Sequence, residues 1–168
     1  KNFLGTFAPP VAVFNDFQFL TTLDDVDWRS GISEAIKVAL IKDAPFFQWL
    51  VQNAQLLAKR DMPAMQYLIK RCADLHMQHI RGGDPFEMGS ARPLDFGHWS
   101  AHKLEQLTQF NIRHGEAVAI GIALDSVYSH LSGRLSKKAL DQIIKLNKTL
   151  GLAVTHSLLN VDSDQSPL

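Results

Sequence analysis

The sequence predicts a mainly α-helical domain, preceded by a short strand-containing stretch. Three observations predict it. From Asp24 onward apolar residues recur at helical spacing along most of the 168-residue chain. Pro, Gly, Ser and Asp punctuate those periodic segments where helices begin and end. Only near the start, in PPVAVFND (9–16), does a short apolar run stand between proline and aspartate, the pattern of a buried strand.

The elements follow in order. DDVDWRSGISEAIKVALIKD (24–43) has acids at its start, where a helix N-terminus favours negative charge. Its apolar residues Ile32, Ile36, Val38, Ala39 and Ile41 give it a core-facing side. APFFQWLVQNAQLLAKRD (44–61) is a second helix, with Pro45 near its beginning, a position helices tolerate. MPAMQYLIKRCADLHMQHI (62–80) is a third. RGGDPFEMGSARP (81–93) holds three Gly and two Pro in thirteen residues and reads as a loop. Helices resume over about 98–108 and 114–132. SKKALDQIIKLNKTLG makes another, with Ser136 as N-cap and Gly151 as its stop. The tail NVDSDQSPL is polar. No repeat or low-complexity tract interrupts the pattern.

Composition narrows the function classes. Apolar residues are 46% of the chain, enough for a sizeable core. Lys plus Arg equals Asp plus Glu at 17 each, so the formal net charge is zero. A nucleic-acid binder usually carries a basic excess, so that partner is not expected. The longest apolar run, AVAIGIAL (117–124), is far short of a membrane span, so no membrane is expected either. The single cysteine, Cys72, forms no internal disulfide, which suits a reducing compartment such as the cytoplasm. The opening KNFLGTF, without an initiator Met, reads like the middle of a longer protein.

The chemistry concentrates in one stretch, DFGHWSAHKLEQLTQFNIRHGEAVAIG (95–121), which holds three of seven histidines beside Asp95, Glu105 and Glu116. His98 and His102 are four apart, so on one helix they share a face about one turn apart. That spacing chelates a metal, or sets a ligand beside an acid–base group, or merely decorates a helix face. Asp95 also fits an N-cap, and His114 the start of a helix with Glu116 in its first turn. A catalytic zinc usually takes three protein ligands and keeps one position open. Two histidines leave one ligand missing, and with seventeen carboxylates in the chain, spacing does not identify it.

Four stretches together resemble the dehydroquinate synthase family, within the sugar phosphate cyclases. The family pattern GKNxIGxFxxP is met by KNFLGTFAPP, and SGxAEVIKxxxIxD by SGISEAIKVALIKD (30–43). NxGHxxGHxxE is met, with changes, by DFGHWSAHKLE (95–105), and HGExVAIG by HGEAVAIG (114–121). The resemblance implies an N-terminal NAD-binding α/β domain and a C-terminal helical domain, with the active site between them. On that basis residues 1–22 are expected to be the end of the NAD-binding domain and 23–168 the helical metal- and substrate-binding domain.

Position by position, the resemblance implies Glu34, His98 and His114 as metal ligands, for zinc or alternatively cobalt. Lys37 matches the active-site lysine, and His102 a histidine near the substrate phosphate that takes part in proton transfer. Lys1, Phe19, Leu20, Thr21 and Thr22 match NAD contacts, and Asn2 a phosphate contact. In the family reaction NAD⁺ takes hydride from a secondary alcohol, the new carbonyl acidifies the neighbouring C–H, and phosphate is eliminated. NADH then returns the hydride, and ring opening and an intramolecular aldol addition close a carbocycle. The implied protein is therefore a phosphate-eliminating carbon–oxygen lyase, a homodimer, acting on a small-molecule sugar phosphate.

The sequence departs from the pattern at three substrate-facing positions. The family asparagine before Gly-His is Asp95, which adds a carboxylate and removes an NH₂ donor. A family lysine falls at His76, and a family arginine at Ala91, with Arg92 one place later. The last two family groups are expected to bind the substrate carboxylate, for which an imidazole is a weaker, pH-dependent anchor than an ammonium. A seven-carbon sugar phosphate without the carboxylate, like sedoheptulose 7-phosphate, is the expected alternative substrate. Two rival readings are a metal-dependent NAD alcohol dehydrogenase and a non-catalytic helical fragment.

Overall fold

The computed structural model describes residues 11–81 and 95–159. Its elements are a 3-10 turn (Phe17–Thr22), then α1 (Asp25–Lys42), α2 (Ala44–Ala58), α3 (Met62–Arg81), α4 (His98–Leu107), α5 (His114–Leu131) and α6 (Lys137–Thr149), and a last 3-10 turn (Ser157–Leu159). The helical fold class holds. No strand occurs among the described residues: Val11, Val13 and Phe14 are exposed in irregular backbone, so the expected strand is not formed there. A strand satisfies its backbone N–H and C=O groups on a neighbouring strand, and the described residues supply none. The predicted loop lies, apart from Arg81, outside the described residues, as does the polar tail beyond Leu159.

Local chemistry sets the helix ends where the sequence places them. Asp24 accepts from the Asp27 N–H at 2.7 Å and opens α1. Asp43 closes α1 and opens α2: its own N–H bonds Ala39 O, while its Oδ1 accepts from the Phe46 N–H at 3.0 Å. Its other oxygen takes the Arg71 Nε–H at 2.8 Å, so one carboxylate ties three helices together. Ser136 caps α6 through the Ala139 N–H, and Gly151, at φ 72°, ends it. The left-handed backbone there costs glycine little.

The core runs along α1 and α5. Ile32, Ile36 and Ala39 of α1 are wholly buried against Phe46, Leu50 and Leu57 of α2, Met65 and Leu68 of α3, and Val118 and Ile122 of α5. Each large aliphatic side chain removed from water contributes about 1.5–3 kcal/mol. Trp28 seats its ring in this core, donates Nε1–H to Leu57 O at 2.9 Å and lies under the Arg60 guanidinium. α6 packs Leu140, Ile143 and Leu146 inward and keeps its lysines outside. In α5 every residue from Ala117 to Ala123 is buried, so this helix is covered nearly all round. Its small residues let neighbours approach at backbone distance. No helix among the described residues is long and apolar enough to cross a membrane.

Candidate metal centre

Two glycine contacts bring α1, α4 and α5 together. A Cβ built on Gly115 would stand 2.2 Å from Ser30 O, so α5 touches α1 backbone to backbone. A Cβ on Gly121 would stand 1.9 Å from Gly97 O, which fixes the start of α4 against the middle of α5. Gly97 itself has φ 76°. Consequently His98 and His114, the first residues of α4 and α5, meet Glu34, one turn along α1 from Ser30.

Their ligand atoms fit one ion. Glu34 Oε1 lies 3.6 Å from His98 Nε2 and 3.3 Å from His114 Nε2. The three donor atoms are all within 4.8 Å of one another. A tetrahedral zinc with bonds of about 2.1 Å holds its ligands about 3.4 Å apart. Glu34 Oε1 is buried and has no hydrogen-bond partner, an expensive arrangement for a carboxylate oxygen unless a cation takes it. The donor set, one carboxylate and two imidazoles, suits zinc.

The surrounding groups aim those atoms. Buried Lys37 places Nζ 2.7 Å from Glu34 Oε2, which engages one oxygen and leaves Oε1 to face the imidazoles. His98 Nδ1 lies 3.2 Å from Phe96 O, and His114 Nδ1 lies 3.1 Å from Glu105 Oε1. Each acceptor holds the ring proton on Nδ1 and so frees Nε2 as a ligand. Burial lowers the His98 pKa, with the Lys37 and His114 charges adding to it and Phe96 O and Glu34 opposing. The net lowering favours the neutral imidazole, the form that binds metal.

His102, Glu105 and His114 form a second close group. In it Glu105 Oε1 already accepts from His114 Nδ1, so Glu105 serves as a support behind His114 rather than as a competing ligand. His102 is exposed; its ring centroid lies 5.5 Å from His98 and 6.0 Å from His114, beside the centre and outside its donor set.

Residues 31–166 match the family profile described as 3-dehydroquinate synthase C-terminal. The chain belongs to the dehydroquinate synthase family. It is also similar, at 34% identity and a TM-score of 0.82, to 2-epi-5-epi-valiolone synthase from Streptomyces hygroscopicus subsp. jinggangensis 5008, whose structure has NAD⁺ and Zn²⁺ bound. The match covers 94% of this chain and 44% of that one, so the chain spans less than half of that relative.

Of the residues the dehydroquinate synthase resemblance singled out, Glu34, Lys37, His98, His102 and His114 come together. Asp95 is exposed three residues before His98, and the helix N-cap is Gly97, so Asp95 does not cap α4. His76 lies on α3 with Val38, Lys42, Cys72, Leu75 and His79 around a small cleft. Phe19, Leu20, Thr21 and Thr22 form the first 3-10 turn, held to the end of α2 through Arg60, which donates to Leu20 O and Leu23 O. Lys1, Asn2 and Arg92 lie outside the described residues. Sequence reasoning quoted Glu105 within a motif but assigned it no role, and it missed Asp125 altogether. Glu105 is the last residue of the NxGHxxGHxxE pattern, a signal for it, whereas nothing in the spacing marks Asp125, which acts from another helix.

Proposed function

We propose that this chain is the metal- and substrate-binding half of an NAD- and zinc-dependent sugar phosphate cyclase. Residues 1–22 end its nucleotide-binding domain and 23–168 form its helical domain. The reaction class is carbon–oxygen lysis with loss of phosphate, followed by an intramolecular aldol closure. The same reading has the enzyme working as a homodimer in the cytoplasm. The observation that carries it is the buried, unpartnered Glu34 Oε1 facing two imidazole Nε2 atoms at 3.3 and 3.6 Å.

In this reading Glu34, His98 and His114 hold the ion. When bound, zinc supplies Lewis-acid polarisation of a substrate hydroxyl or carbonyl, and NAD a reversible acceptor for hydride. The chain's own residues orient and move protons. Lys37 holds the second Glu34 oxygen at 2.7 Å and stands 3.5 Å from His98 Nε2, beside the donor atoms. His102, exposed beside both ligand rings, takes and returns a proton near the substrate phosphate.

The substrate we favour is a seven-carbon sugar phosphate without a carboxylate, like sedoheptulose 7-phosphate. Support comes from Asp95 and His76, which stand where the family has asparagine and lysine, and from the likeness to a 2-epi-5-epi-valiolone synthase. A carboxylate at Asp95 repels an anionic substrate group and accepts hydrogen bonds from sugar hydroxyls. The test is phosphate release by the enzyme carrying this chain, given NAD⁺, Zn²⁺ and either the sugar phosphate or the family's seven-carbon 2-keto acid phosphate. Release from the sugar phosphate, with no net NADH, is expected. Turnover of the keto acid phosphate alone sinks the substrate assignment, and net NADH accumulation favours an alcohol dehydrogenase.

A further inference from the structure

One peptide group joins the carboxylate of Asp125 to the ring of His98. The Gly97 N–H donates to Asp125 Oδ2 at 2.6 Å. The carbonyl of that same peptide is Phe96 O, which lies 3.2 Å from His98 Nδ1. Asp125 Oδ1 accepts the Trp99 indole N–H at 2.9 Å, so both carboxylate oxygens are committed to the first turn of α4. Asp125 is half-buried on α5 and Gly97 is buried, which limits screening of the contact by water.

We propose that Asp125 is a positioning residue for His98, acting through the Phe96–Gly97 peptide as a carboxylate–peptide–histidine relay. The inference rests on the reading that His98 is a metal ligand. The peptide nitrogen is conjugated with its carbonyl. A carboxylate drawing on the N–H therefore raises electron density on the carbonyl oxygen. That oxygen then accepts more strongly from His98 Nδ1–H, which makes Nε2 a better donor to a metal. The short N–H···O⁻ distance is that of a charge-assisted bond.

The relay matches the arrangement at the other imidazole. His114 has the Glu105 carboxylate directly behind it, at 3.1 Å. His98 has a neutral carbonyl behind it, and the anion stands one peptide further back. Each proposed histidine ligand is thus backed by a carboxylate, one directly and one through the backbone. Asp125 also serves α4 as a helix cap from outside, since Gly97 offers no side chain for that purpose. A cap alone predicts a loss of helix stability. The relay predicts a selective loss of metal affinity.

Titrating the 168-residue chain with Co²⁺, followed by visible absorption and by competition with a chelator, separates the two. Direct supports behind a metal ligand are worth about 10–100-fold in affinity, so through a peptide D125N is expected to weaken Co²⁺ binding about tenfold and to shift the absorption bands. W99F, which releases only the indole contact, is expected to bind as the wild type does. Equal Co²⁺ affinity in D125N and wild type overturns the relay and leaves the metal centre standing. An equal weakening in W99F also overturns it, because anchoring of α4 then explains both. A wild-type chain that binds no Co²⁺ overturns the metal centre, and the relay with it. Should D125N not fold, the wild type still decides: the Asp125 side-chain ¹³C resonance is expected to move on Zn²⁺ addition, and not in H98A. A resonance unmoved by zinc in the wild type overturns the relay.

Discussion

Gly115 and Ser30 are in backbone contact: any Cβ at Gly115 would lie 2.2 Å from the Ser30 carbonyl oxygen. Glutamate 34 follows Ser30 by one turn, and His114 adjoins Gly115, so this contact sets the distance between two proposed ligands. Gly115→Ala forces α5 away from α1. Overpacking of this kind typically costs about 1–3 kcal/mol. The expected outcome is a lower denaturant midpoint together with loss of stoichiometric zinc, measured by metal analysis after dialysis. Zinc retained at wild-type stoichiometry contradicts the role assigned to this contact.

Glu105 is buried behind His114 and holds its Nδ1–H. Glu105→Gln keeps the shape and removes the charge. We expect zinc affinity to fall by about 10–100-fold while helicity is unchanged. Chelator competition beside circular dichroism checks both halves.

Glu34→Gln tests the carboxylate as a metal ligand through the stabilisation that zinc confers. Glu34 Oε1 is buried without a partner, while Oε2 pairs with buried Lys37. Because Glu34→Gln also takes the counter-charge from buried Lys37, the metal-free variant should be less stable than metal-free wild type. The stabilisation that zinc confers on wild type, about 2.7 kcal/mol at a hundred times its Kd, should vanish. Thermal melts with and without zinc test this, and an undiminished zinc-induced rise in Tm places the metal elsewhere.

Asp43 governs acid stability. The Phe46 N–H, and after it Arg71, hold its carboxyl below the ordinary 3.8, against the opposing effect of burial. A carboxylate with a depressed folded pKa binds fewer protons folded than unfolded, so its contribution is complete above the unfolded value. That contribution is lost as pH falls from about 3.8 through the folded value. Asp43→Asn keeps the cap to Phe46 and loses the ion pair with Arg71. It is therefore expected to flatten the fall in stability below pH 4, and Asp43→Ala to cost about 1–2 kcal/mol at neutral pH through the lost cap. Urea midpoints across pH 2.5–7 measure both.

The sequence by itself determined the helices and their ends. Apolar spacing in 24–43, Pro45, Ser136 and Gly151 are local signals, and hydrogen bonding within a few residues is enough to act on them. The four motifs carried the family, and with it the proposal of Glu34, His98 and His114 as ligands. The strand expected at 9–16 did not form among its described residues, because an apolar run becomes a strand only when a second strand completes its hydrogen bonds. Only the tertiary structure decided how the site is supported. The glycine contacts at Ser30 and Gly97, the Glu105 carboxylate behind His114, and the Asp125 carboxylate behind the Phe96–Gly97 peptide all join residues on different segments. Their partners are chosen by how α1, α4 and α5 pack, and no spacing along one chain segment encodes that packing.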